Sequence, residues 1–162
     1  MNSDSADPLR TDLSLQQILL AEAGEHAMYV VDGESVDNAS DYETHLVELD
    51  RISGGALRLR GCTATEGETR EVVVLRDHRP DIRLLLQEEN GWIDTERLVT
   101  QLDEALVREG ATSLVYGFTS RDLGQEVGFV YLQKATGDRM AELVRDREEC
   151  GIFENFHPAD SV

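Results

Sequence analysis

The sequence predicts an α+β fold: a single domain, with a largely antiparallel sheet of about six or seven strands and three helices. The order is helix, four or five strands, helix, hairpin, helix. Three observations carry this. A capped apolar stripe opens the body near residue 14, and a second helical stripe runs through residues 94–109. Between and after them lie β-rich runs at 70–76, 82–87, 112–119 and 125–133, separated by Gly, Pro and Asp turns. With 162 residues the chain has the length of one core. Residues 1–12 are small and polar and read as a flexible tail, 13–150 as the domain, and 151–162 as a second tail. Ile152, Phe153 and Phe156 make that second tail apolar enough to dock on the body or on a partner.

The first helix spans 14–24. Ser14 with Gln17 forms a capping box, Leu13 and Ile18 are placed for a hydrophobic staple, and Gly24 supplies the stop. Residues 26–31 are short and β-rich and end in Asp32-Gly33, which predicts a strand. Residues 40–52 fit two patterns. Ser40 and Glu43 cap a helix carrying Tyr42, Leu46 and Leu49, whereas Val47 and Leu49 alternate with Glu48 and Asp50 as in a strand. Ser53-Gly54-Gly55 followed by alternating Leu57, Arg58, Leu59 and Arg60 favours a hairpin whose first arm is 44–52. Val72 to Leu75 predict a strand buried on both sides, and Pro80-Asp81 breaks the chain before the strand at 82–87. Asp94 caps the helix 94–109, in which Leu98, Val99, Leu102, Ala105 and Leu106 recur at helical spacing until Gly110. A hairpin turning at 120–124 follows, and 138–148 closes as the third helix with Met140, Leu143 and Val144 inward.

Charge is the most informative part of the composition. Thirty-three acids against fifteen bases give a net charge of -18, and residues 1–50 hold twelve of those acids with one base, Arg10. Like charges so concentrated repel one another in the folded state, which asks for a reason. An anionic face that attracts a basic partner supplies one; a solvated surface that keeps the chain in solution supplies a blander one. Direct nucleic-acid binding needs a basic stripe, and none is visible. The basic residues are fourteen Arg and one Lys, Lys134, consistent with coding bias or with adaptation to high salt. Salt adaptation would spread acids over every surface, and the concentration in the first fifty residues argues against it.

No phosphate loop, GxGxxG, HExxH, GxSxG or catalytic-cysteine pattern is present. Cys62 and Cys150 form no metal-type cluster and read as reduced thiols, Cys62 as a small buried hydrophobe. His45 and Glu48 have a spacing that holds a metal on a helix, but on a strand they face opposite ways. Asp77-His78-Arg79-Pro80-Asp81 gathers acid-base groups, yet the proline and the missing nucleophile favour a polar turn. The expectation is therefore no enzyme, no metal and no cofactor. No apolar run approaches the length of a membrane span, and the opening residues lack a secretory pattern, so a cytoplasmic protein is expected.

In the order of its elements over residues 14–148 the chain is similar to the class I type III secretion chaperones, small acidic proteins that bind an effector as homodimers. That resemblance implies an effector-binding homodimer as one function. The charge pattern points first to another: a non-enzymatic protein that neutralises a basic partner, a toxin or nucleic-acid-acting effector, as an immunity protein or nucleic-acid mimic does. The residues expected to contact it are Asp32, Glu34, Asp37, Asp41, Tyr42 and Glu43, with Glu88, Glu89 and Trp92 from the turn before the second long helix. Trp92, the only tryptophan, and Tyr42 are the candidate aromatic anchors, and Trp92 has a rival role as a core anchor beneath that helix. A third reading is an acidic housekeeping domain or enzyme of a salt-loving cell. A monomer and a homodimer are both compatible with the sequence.

Overall fold

A computed structural model describes residues 13–36, 38, 40–67, 69–87 and 91–147, and the backbone of 151–154. The fold is α+β, with two antiparallel sheets where the sequence predicts one, and four helices among the described residues where it predicts three. In chain order the elements are α1 (Leu15–Ala23), β1 (Met28–Asp32), α2 (Ser40–Ile52), β2 (Leu59–Ala64), β3 (Thr69–Arg76), β4 (Ile82–Gln87), α3 (Thr95–Arg108), β5 (Ser113–Ser120), β6 (Glu126–Gln133), α4 (Lys134–Asp146) and β7 (Gly151–Glu154). The larger sheet has the order β1-β6-β5-β7, the smaller β2-β3-β4.

The extra helix is α2, which replaces the expected hairpin arm at 44–52. Tyr42, His45, Leu46, Leu49 and Ile52 recur at helical spacing and all are buried, while Val47 is half exposed. Ser53-Gly54-Gly55 is a helix stop. Gly54 N–H donates to the Arg51 carbonyl at 3.1 Å and Gly55 N–H to the Asp50 carbonyl at 2.8 Å, the pair of bonds that closes a Schellman motif. Both glycines have positive φ, 65° and 85°, a region a side chain resists. The chain then turns through Arg58, also at positive φ, so the next strand begins at Leu59. With α2 inserted, the element order behind the chaperone resemblance is not the order of this fold.

Elsewhere the helix caps hold, and two elements differ in detail. The Ser14–Gln17 capping box closes both ways, and Asp94 accepts from Arg97 N–H at the start of α3. β3 buries one face rather than two: Arg70, Val72, Val74 and Arg76 face inward, while Val73 and Leu75 are only half buried on the other side. α4 starts at Lys134, four residues before the predicted helix, directly from the end of β6.

The larger sheet buries both faces. Alternation along β5 sends Leu114, Tyr116 and Phe118 toward Leu15, Ile18 and Leu19 of α1 and Met140 and Val144 of α4. Val115, with Phe129 of β6, joins the main core under α2, α3 and the smaller sheet. Helix α3 bridges the two sheets. Gln101 caps the free edge of β4 by accepting from Leu85 N–H at 2.9 Å and donating to its carbonyl at 3.0 Å. On the β5 side, Asp103 accepts from Val115 N–H at 2.9 Å. Gln101 thus satisfies a strand edge that would otherwise invite pairing with another chain. Leu102, between them, is fully buried. Leu102→Ala is expected to lower stability by roughly 2 to 5 kcal/mol in denaturant melts; a loss under about 1 kcal/mol would mean the α3 stripe is not core.

Candidate binding face

β1 ends at Asp32, and the chain that follows is stitched to two other segments. Gly33 N–H donates to the Gln125 carbonyl at 3.0 Å, Ile93 N–H to the Gly33 carbonyl at 2.9 Å, and Val36 N–H to the Gly91 carbonyl at 3.1 Å. Asp32 Oδ1 accepts from Glu34 N–H at 2.9 Å and from Gln125 Nε2 at 2.8 Å. Position 33 must be glycine for this packing, since a Cβ there would collide with the Trp92 ring. The indole lies against the bare backbone and keeps 37% of its surface exposed. Residues 32–34 and Trp92, separate in sequence, therefore share one face.

The loop is anchored from below by a buried histidine. His45 Nδ1 lies 2.9 Å from the Tyr29 hydroxyl of β1, and Nε2 lies 3.0 Å from Ser35 Oγ. Burial holds the imidazole below its ordinary pKa, against smaller opposing effects from Ser35 and Asp41, so the ring is neutral at pH 7. One hydroxyl donates to it and the other accepts, which ties α2, β1 and the loop together. Glu48, which shares its helix face, pairs with Arg51 at 2.8 Å. Among the described residues no three His, Cys, Asp or Glu side chains converge as a metal would require.

Ion pairs elsewhere neutralise Glu22, Glu48, Glu66, Glu71, Asp94, Glu109 and Asp138. None of the ion pairs among the described residues involves Asp32, Glu34 or Glu43, and Glu34 and Glu43 are exposed. Asp32 also lies directly opposite Glu126 in the β1–β6 register, a like-charge pairing that works against the sheet. Asp41 stands in the first turn of α2, where a carboxylate also favours the helix dipole, and its Oδ2 accepts from Asn38 N–H.

Tyr42 is a correction. It is fully buried in the main core with the Arg70 guanidinium 6.0 Å from its ring centre, so it anchors the fold and not a partner. Asp37, Glu88 and Glu89 lie outside the described residues. Asp77 to Asp81 form the exposed turn expected of them, with His78 at positive φ. Sequence reasoning missed the Tyr29–His45–Ser35 anchor; the signal was His45 on the same helical stripe as Tyr42 and Leu49, hidden once 44–52 was read as a strand.

Beside Trp92 opens a cleft of about 470 Å³, lined among others by Ile93, Glu96, Arg97, Phe118 and Val127. No helix among the described residues is long and apolar enough to cross a membrane. No family model, curated protein or solved structure matches the chain.

Proposed function

We propose that this protein is a non-enzymatic binding protein that neutralises a basic partner, in the manner of an immunity protein or a nucleic-acid mimic. The observation that carries the reading is the pair Asp32 and Glu34, in none of the ion pairs among the described residues, on a hydrogen-bonded loop beside the exposed Trp92, with Glu43 likewise exposed in the first turn of α2. Unpaired acids on a pinned backbone project a field without first having to break internal ion pairs. Such a field raises the encounter rate with a cationic surface.

Affinity capture from the native cell, with mass spectrometry of what is retained, identifies the partner. Asp32→Asn, Glu34→Gln and Glu43→Gln combined should leave the melt unchanged or raised, because self-repulsion falls. The on-rate for the captured protein should drop roughly tenfold at low salt and lose much of its salt dependence. An unaltered on-rate would sink the electrostatic interface. Salt adaptation predicts the reverse pairing: unchanged association with poorer folding in concentrated salt.

A further inference from the structure

Resting on the reading of this face as the surface for a basic partner, we propose that the Trp92 cleft receives an arginine side chain of that partner. The indole is one wall, seated on Gly33 and so fixed before any ligand arrives. Val127 and the edge of Ile93, which is 7% exposed, supply apolar wall suited to the methylene stem of a long cationic side chain. The polar side of the cleft is the first turn of α3, where two carboxylates differ in availability. Asp94 is consumed: it accepts from Gln87 N–H at 2.8 Å and Arg97 N–H at 3.3 Å, and pairs with the Arg97 guanidinium at 3.2 Å. Glu96 is exposed, lines the cleft, and takes part in none of the ion pairs of the described residues. A flat guanidinium stacks on indole while donating in its own plane to a carboxylate, which an ammonium does not do. Across Gly33 the opposed Asp32 and Glu126 add negative potential that a cation relieves. The carboxylate field makes long-range steering, and the Trp92 cleft makes the contact that holds.

Because Trp92 is the only tryptophan, its fluorescence reports on this cleft alone. The full chain is titrated at low salt with hexa-arginine and hexalysine peptides, by fluorescence and by calorimetry. A saturable change in Trp92 emission with hexa-arginine, weaker with hexalysine, is expected. Trp92→Leu should weaken hexa-arginine binding about 3- to 30-fold by calorimetry, the range of a cation–π contact. Glu96→Gln, an exposed change that leaves the core untouched, should weaken it several-fold with an unchanged melt. Tight hexa-arginine binding that leaves Trp92 emission unchanged, or that both variants retain, overturns the arginine cleft while leaving the acidic face standing. If neither peptide binds by calorimetry, or if the Asp32, Glu34, Glu43 triple variant binds as well as wild type, the broader reading fails and takes the cleft with it.

Discussion

Glu109→Ala is expected to destabilise the protein by roughly 3 to 5 kcal/mol, the cost of stranding a buried cation. Arg76 ends the inward face of β3 with its side chain 1% exposed, and Glu109, at the end of α3, grips it with both carboxylate oxygens, at 2.5 and 2.8 Å. The other guanidinium donors go to backbone carbonyls of Leu57, Ala56 and Pro80, so the arginine ties the 56–57 and 80 segments to the end of α3. Removing Glu109 leaves that charge in place without its counter-ion. Arg76→Met with Glu109→Leu should recover much of the loss, because replacing both partners removes the desolvation penalty along with the attraction. The hydrogen bond from Arg76 holds the Glu109 carboxyl below its ordinary pKa, aided by the charges of Arg76, Arg79 and Arg108 against the opposing effect of burial. Its stabilisation is thus fully present above the ordinary glutamate value of 4.5 and is lost as the pH falls through the lower folded value. Denaturant melts of wild type and Glu109→Ala between pH 7 and pH 3 should converge on acidification. A constant gap would assign the loss to packing alone.

Asp103→Asn should act in the opposite direction. Asp103 is fully buried, and one oxygen caps Val115 N–H while the other has no hydrogen-bond partner among the described residues. Burial pushes its pKa up to about 8 from 3.8, with the Val115 hydrogen bond opposing, so at pH 7 folding must bind a proton that the unfolded chain releases. The sign follows from the raised value: the stability is complete below the unfolded value of 3.8 and is lost progressively as the pH rises through the folded value near 8. At pH 7 that loss is on the order of 4 kcal/mol, at 1.36 kcal/mol per unit. Asparagine keeps the Val115 cap, has the same shape and does not titrate, so it should raise stability near pH 7 and change little near pH 4. Asp103→Ala, which removes the cap as well, should give back part of that gain. Melts of Asp103→Asn that fall below wild type at pH 7 and pH 8 would refute the protonated-core assignment.

Local chemistry was legible wherever a few neighbouring residues decide the outcome. The Ser14 capping box, the Asp94 cap, the 94–109 stripe, the strand at 82–87 and the turn at 77–81 all stand as the residues imply, because caps and hydrophobic periodicity act over one or two turns of chain. Residues 40–52 failed because their pattern satisfies two periods at once. Ser53-Gly54-Gly55 ends a helix as readily as it turns a hairpin, and burial of Tyr42 and His45 against the core decides between them.

By itself the sequence determined an α+β chain with its acids concentrated in the first fifty residues and one tryptophan near a carboxylate-rich turn. Only the tertiary structure decided that the strands divide into two sheets, with helix α3 bonded to both through Gln101 and Asp103, since strand partners are chosen between segments far apart in the chain. It also moved Tyr42 from surface to core and set Trp92 on Gly33, fifty-nine positions away in the chain. Composition fixes how much charge a chain carries, whereas the place of each charge follows from long-range packing, which no local pattern encodes.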